Sequence, residues 1–386
     1  MIAGAADGQQ RSYIAHAIQL ANGMRFNLRT WQGYRISVAA EGLKRPRFFA
    51  QAPDGRVVVT DMYDRSDNRK GKVLILDSFN QTTRRFERII PLLQNLHNPN
   101  QVAFFQDAAR QWWLYVAETG KLSRYRFTPG QTAPLTNGQA IASFPDYGLS
   151  YKYGGWHLTR SLAFKGQKLY VSVGSSCNAC IEKEAIRASI IEMDPDGSNL
   201  RTYATGIRNA VGLKWVGDSL WATNMGRDGI GPDKPQDQLL VIKPGVHYGW
   251  PYYVQYKQQM LPDETFKDSA RPAALKPTPP GYTGLLAHSA PLGFCFVQQH
   301  PHRDIKGKFL VALHGSTSVW RQRGNSIVLV TGRDKYEPFV DGFLQGKTEG
   351  KRFGRPADVW QWNDRNFLIS DDKNGVIYLL SYLESN

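Results

Sequence analysis

The chain has 386 residues, 41% hydrophobic, 12% aromatic and 21% charged, with a formal net charge of +15. This is the composition of a folded protein, and no run of eighteen apolar residues offers a helical membrane span. The Lys and Arg residues are scattered, with only short clusters such as Arg65 to Lys72. That argues against nucleic acid as a partner and leaves an anionic cofactor or a negative cell surface as what the charge attracts.

Met1 to Gln10 carry neither a basic region nor an apolar stretch, so no secretory signal is legible there. From Tyr34 to Ala40 (YRISVAA) the residues alternate as in a strand. Beyond it the chain repeats itself, which overrides any domain count drawn from length. The unit is a Pro or Gly, a short apolar strand, a polar turn, and an alternating strand ending in a small or polar residue. Copies begin near Pro46 (PRFFAQAPDGRVVVTD), Pro99 (PNQVAFFQDAARQWWLYVAE) and Thr159 (TRSLAFKGQKLYVSVG). Three more begin near Asn209 (NAVGLKWVGDSLWATN), Ala290 (APLGFCFVQQ, then KGKFLVALHG) and Pro356 (PADVWQWNDRNFLISD).

Further apolar strands follow the copies, at Lys72 to Asp77, Ser189 to Asp194, Gln238 to Lys243 and Gly375 to Leu380. The pattern predicts an all-β, six-bladed β-propeller of four-stranded antiparallel blades. Tyr34 to Ala40 are expected to close the ring by pairing with the last blade, which removes an exposed sheet edge. The whole chain, 1–386, reads as one domain, with 1–33 as an amino-terminal extension. Residues 245–283 read as a long loop insertion on the active-site face, because long loops on rigid scaffolds often carry function.

Only Cys177, Cys180 and Cys295 are present, too few to staple a fold. Cys177-Asn178-Ala179-Cys180 has the spacing of half a zinc site, a redox pair or a local disulfide. No second pair exists to complete a zinc tetrad, which leaves a loop disulfide or two small residues as the leading readings.

Strand ends and repeat starts in a propeller face its central axis. The polar residues there form one expected constellation: Asp61, Glu118, His157 with Arg160, Arg208 with Asn209, Asn224 to Asp228, His314 and Arg355. Asp61, Glu118 and Asp371 end equivalent strands and read equally as structural acids or cavity liners. Trp156 and Trp250 are the tryptophans best placed to do something other than the ordinary packing between blades.

GGWHLTRSLAF (Gly154 to Phe164), LYVSVGSSCNAC (Leu169 to Cys180) and MDPDGSNLRTYATGIRNAVGLKW (Met193 to Trp215) carry a resemblance that continues through LWATNMGRDG (Leu220 to Gly229) and GVHYGWPYY (Gly245 to Tyr253). In these stretches the chain resembles the soluble quinoprotein sugar dehydrogenases, most closely their sorbosone and aldose dehydrogenase branch. The resemblance implies an oxidoreductase that holds pyrroloquinoline quinone (PQQ) and calcium over the axis. It would oxidise an aldose or related polyol or aldehyde by hydride transfer and pass electrons to an external quinone, cytochrome or dye.

By the same resemblance, His157 is the general base, a task suited to a neutral imidazole. Arg208 and Asn209 face the quinone oxygens, where a cation and an amide stabilise developing negative charge. His314, Arg355 and Arg160 complete the expected cofactor contacts. Arg355 matches the cofactor-carboxylate arginine, and His314 stands where the glucose-oxidising branch has a lysine. Gly226 and Arg227 offer backbone carbonyls to calcium. Asn98 to Gln101 depart from the family pattern. The family's usual home implies a periplasmic or secreted protein. The alternatives are a calcium-dependent propeller lactonase or hydrolase, and a non-catalytic propeller binding carbohydrate or protein.

Overall fold

A computed structural model describes residues 11–145, 157–272, 275 and 279–383. The first strands, β1 (Tyr13–Gln19) and β2 (Arg25–Trp31), form a hairpin, and β3 (Tyr34–Ala40) follows. Blade one is β4 (Pro46–Gln51), β5 (Val57–Asp61), β6 (Gly71–Asn80) and β7 (Arg85–Leu96). Blade two is β8 (Gln101–Gln106), β9 (Trp112–Ala117), β10 (Lys121–Phe127) and β11 (Gln139–Ser143). Blade three is β12 (Arg160–Lys165), β13 (Lys168–Val173), β14 (Ser189–Met193) and β15 (Arg201–Thr205).

Blade four starts with β16 (Ala210–Val216), β17 (Ser219–Asn224) and β18 (Asp237–Ile242). A separate hairpin, β19 (Tyr253–Tyr256) and β20 (Gln259–Pro262), intervenes before its fourth strand, β21 (Thr283–Leu285). Blade five is β22 (Pro291–Phe296), β23 (Phe309–Leu313), β24 (Ser326–Gly332) and β25 (Lys335–Asp341), and β2 pairs with β25, so the first hairpin widens this sheet to six strands. Blade six is β26 (Pro356–Gln361), β27 (Asn366–Asp371) and β28 (Val376–Tyr382), completed by β3. All six predicted copies start within two residues of an inner strand, and the predicted ring closure by Tyr34 to Ala40 is observed. The only described helices are three-residue 3-10 turns.

Strands packed between two blades are apolar on both faces, and β5 (VVVTD) is buried throughout. The β2 strand, which packs only one face on the core, alternates exposed and buried residues instead. Six hydrophobic clusters fill the six spaces between neighbouring blades. Val58 and Val73 of blade one, for example, pack with Leu114 and Val116 of blade two. Each such side chain contributes about 1.5–3 kcal/mol by leaving water. A smaller cluster at the axis joins Phe48, Val211, Leu292 and Ala357, from four different inner strands.

Buried hydroxyls tie the inner strands together. Thr60, Thr223 and Ser370 each occupy the penultimate position of a second strand. They accept the N–H of Phe48 (3.1 Å), Gly212 (2.8 Å) and Asp358 (2.9 Å), at irregularities in the inner strands of their own blades. They donate to a carbonyl of the next blade: Asn100 (2.6 Å), Leu292 (2.7 Å) and Arg47 (2.6 Å). One side chain therefore satisfies a bulged donor and fixes the spacing between blades.

Candidate functional site

A cavity of about 510 Å³ opens at one end of the axis, floored in part by Val211 and Leu292 of the axial cluster. The repeat determines its lining. The residue just before the inner strand lines it in five blades: Arg45, Thr159, Asn209, Ala290 and Arg355. The residue just after the second strand lines it in four: Met62, Met225, His314 and Asp372.

His157 lies on the wall with φ of 52°, a left-handed conformation that costs free energy for a residue with a Cβ. Its Nδ1 donates to the Ser175 carbonyl at 2.8 Å, which places the neutral ring's proton on Nδ1 and leaves Nε2 deprotonated. Burial, and then the Arg208 cation, hold its pKa well below 6.5. Gly174 makes room for this arrangement: a Cβ there would lie 2.6 Å from the His157 Cβ and 2.7 Å from Asn209 Oδ1.

Arg208 is buried beside it, its pKa pushed down to about 10 by desolvation. Its Nε donates to the Asn178 carbonyl at 2.8 Å and one terminal nitrogen to Asn178 Oδ1 at 3.0 Å. Asn209 has its N–H held by Asn224 Oδ1 at 3.0 Å, while its own Oδ1 is buried without a hydrogen-bond partner. A buried orphan amide oxygen costs about 1–3 kcal/mol.

Cations gather on the opposite wall. Arg47 meets Asp372 at 2.6 Å, Arg45 meets it at 3.3 Å, and His314 Nε2 donates to it at 2.7 Å. These partners hold the Asp372 carboxyl far below the usual range, while burial and Arg355 push the His314 imidazole down to about 3. Arg355 donates to the carbonyls of His314 (3.1 Å) and Gly315 (2.6 Å), and burial lowers its pKa to about 10. With Arg65 and Arg208, five guanidiniums line a cavity whose described carboxylates are Asp228, Asp237 and Asp372. Asp237 accepts from the Gly226 N–H (2.8 Å) and the Ala290 N–H (2.8 Å), and burial raises its pKa to about 6. The surplus of fixed positive charge fits a polycarboxylate ligand such as PQQ.

The structure brings His157, Arg208, Asn209, Gly226, His314 and Arg355 to this one cavity. Other expected residues lie outside it. Arg160 is fully buried behind His157 and donates to the carbonyls of His157 (2.8 Å), Thr159 (3.1 Å) and Pro145 (2.8 Å). The Arg227 side chain turns away to Asp263 (2.5 Å), although its neighbours Gly226 and Asp228 line the cavity. Asp61, Glu118, Asn224 and Asp371 do not line it; they accept backbone N–H groups of Arg45 (2.7 Å), His97 (2.7 Å), Asn209 (3.0 Å) and Arg355 (2.9 Å), and so are structural. Trp156 is outside the described residues, and Trp250 is buried in the core.

Two features differ from the sequence reading or were missing from it, and at the cysteine pair one of the two leading readings is the one observed. No described residue of 245–283 lines the cavity: the chain leaves β18 and runs beside β15, with Gly245, Tyr248 and Trp250 bonded to Tyr203, Thr205 and Gly206. Arg45 and Arg47 were not singled out, yet Arg45-Pro46-Arg47 begins blade one as Arg355-Pro356 begins blade six, a signal within the repeat itself. Cys177 and Cys180 are joined in a disulfide; with Glu182 they form a tight group, but bonded sulfurs are not thiolate ligands for zinc.

Residues 151–327 match the family described as Glucose / Sorbosone dehydrogenase. An uncharacterized protein of Borreliella burgdorferi is 32% identical over 236 residues, 56% of this chain and 58% of that protein, so the match spans little more than half of that relative's length. The holo form of the pyranose dehydrogenase PQQ domain from Coprinopsis cinerea superposes with a TM-score of 0.70 at 16% identity, covering 94% of this chain and 98% of that one. The calcium structure of a Trichoderma reesei protein of carbohydrate-active enzymes family AA12 does so with a TM-score of 0.71 at 15% identity, covering 97% and 99%. These likenesses share the propeller fold, and over residues 151–327 the chain carries the sequence pattern of the glucose/sorbosone dehydrogenase family.

Proposed function

We propose that this protein is a quinoprotein dehydrogenase that oxidises an aldose sugar, or a related polyol or aldehyde, with PQQ and calcium. The observation that carries the proposal is the pairing, in one axial cavity, of a neutral His157 with a deprotonated Nε2 and a wall of arginines in excess over acids. The family match over residues 151–327 supports the reaction class, and the PQQ and calcium named for the two structural relatives support the cofactors.

His157 Nε2 takes the proton of the sugar C1 hydroxyl as the C1 hydride departs. PQQ, when bound, supplies the two-electron acceptor for that hydride. Arg208 and Asn209 stabilise the negative charge that develops on the acceptor oxygens. Arg355 would bind a cofactor carboxylate, and Arg45 and Arg47 supply further cations on the same wall. His314, fixed and neutral on Asp372, is a hydrogen-bonding wall rather than a charge. The carbonyls of Gly226 and Arg227 would hold calcium, a hard ion that prefers oxygen. Arg160 supports the His157 backbone from behind. An external quinone, cytochrome or dye would take up the electrons, and the protein works in the periplasm or outside the cell. The hydrolase reading loses support because Asp372, the most buried cavity acid, is committed to two arginines and a histidine.

The test is to add PQQ and calcium to the purified protein and follow quinone absorbance and dye reduction with a panel of aldoses. Binding with sugar-dependent dye reduction is expected. Absence of both would overturn the proposal. His157→Ala should keep the bound-quinone spectrum and lose turnover.

A further inference from the structure

The loop after β13 touches both groups to which the proposed chemistry is assigned. Its Ser175 carbonyl holds His157 Nδ1, and its Ser175 N–H donates to the Arg208 carbonyl at 2.8 Å. Two residues on, the Cys177–Cys180 disulfide closes a small ring that contains Asn178. Asn178 makes four hydrogen bonds to blade four. Its main-chain carbonyl and Oδ1 accept from Arg208 (2.8 and 3.0 Å), Oδ1 accepts the Asp228 N–H (2.9 Å), and Nδ2 donates to the Asp228 carbonyl (3.0 Å). The loop is braced again by Glu182, which accepts from the Ser176 N–H (2.8 Å) and hydroxyl (2.7 Å).

We propose that the Cys177–Cys180 disulfide is a positioning element: by fixing Asn178 it sets the plane of the Arg208 guanidinium and the turn from Gly226 to Asp228, so that turnover depends on the disulfide being intact. The proposal rests on the reading of Arg208 given above. Two acceptors from one residue along one edge of a guanidinium define its plane, as a single contact does not. Asp228 sits in the turn offered to calcium, so one side chain couples the arginine to that turn. A hydrogen-bonded loop without the cross-link has more backbone states to lose when it docks. Reduction removes the constraint: two electrons and two protons from dithiothreitol convert the S–S bond to two thiols, and the reagent becomes its cyclic disulfide.

Two measurements test this. In the apoprotein, the Arg208 Nε–H signal, assigned by its loss in Arg208→Lys, should exchange with solvent faster after dithiothreitol and alkylation, and equally fast in Asn178→Ala. In the protein loaded with PQQ and calcium, reduction or the double substitution Cys177→Ser/Cys180→Ser should lower kcat roughly tenfold with little change in KM. Asn178→Ala should give the same loss, and reduction should add nothing to it, because both act through one contact. Unchanged Arg208 exchange on reduction, or losses that multiply, overturn the proposal. A change in Arg208 exchange in a protein that binds no quinone would instead count against the dehydrogenase reading and leave the positioning role standing. Cys295, buried with its thiol pushed up to about 12, does not compete for the reagent.

Discussion

Arg47 at the start of blade one and Asp372 at the end of the second strand of blade six meet at 2.6 Å, across the seam where the ring closes. Asp372 also takes Arg45 and His314, so one fully buried carboxylate compensates two arginines. Asp372→Asn is expected to cost about 3–5 kcal/mol, because it strands buried charges rather than deleting them. Urea unfolding measures it; a loss within experimental scatter would show that the arginines relax into solvent.

His157 is held neutral by burial and by Arg208, with a pKa well below 6.5. Its Nε2 therefore remains a base as the pH falls past 6.5, and the acid limb of kcat/KM should lie below that value. The stability effect has the opposite sense. The unfolded chain takes up a proton near pH 6.5 that the native imidazole refuses, so the native state loses stability as the pH falls below it. A pH profile of the loaded enzyme checks the first point, and an acid limb centred at or above 6.5 would remove His157 as the base.

Gly174 leaves no room for a methyl group between His157 and Asn209. Gly174→Ala should therefore lower kcat by roughly tenfold or more, since small displacements of reacting groups are costly. Its melting temperature should move little by comparison. Full turnover in this variant would mean that the spacing of these two residues is not critical.

Asp358 lies against Gly293, with one oxygen accepting the Phe49 N–H at 3.2 Å and the other unpartnered, and burial raises its pKa to about 6. A carboxyl raised in the fold favours the native state while protonated, and that contribution is lost as the pH rises through about 6. Asp358→Asn should flatten this part of the stability profile. Unfolding midpoints on either side of pH 6 would reveal the change, and an unaltered slope would assign the pH dependence elsewhere, for example to Asp237.

The blades were legible because each repeat couples a Pro or Gly start to alternating strands, and the period of two fixes which face each residue takes. The same period explains the errors at the site. Asp61 and Asp371 end their strands, but the next residues, Met62 and Asp372, line the cavity. A shift of one residue reverses the face, and a sequence does not mark where the last ladder bond falls. Arg160 shows a different limit: it stands beside His157 in sequence, yet its guanidinium is consumed by three backbone carbonyls. Such backbone demand has no sequence signature. Arg45 and Arg47 were readable in principle, since RPR begins blade one as RP begins blade six. The path of residues 245–283 was not, because its direction depends on which end of β18 the chain leaves.

The pairing of β3 with β28 has a consequence for biosynthesis. Blade six cannot be completed until Val376–Tyr382 has left the ribosome, although its partner strand emerged more than three hundred residues earlier. The cavity wall shares that dependence, since Arg45 and Arg47 meet Asp372 only across the finished seam. A nascent chain thus holds β3 in reserve through most of translation, and the arginine-lined wall of the cavity is completed in a single late event.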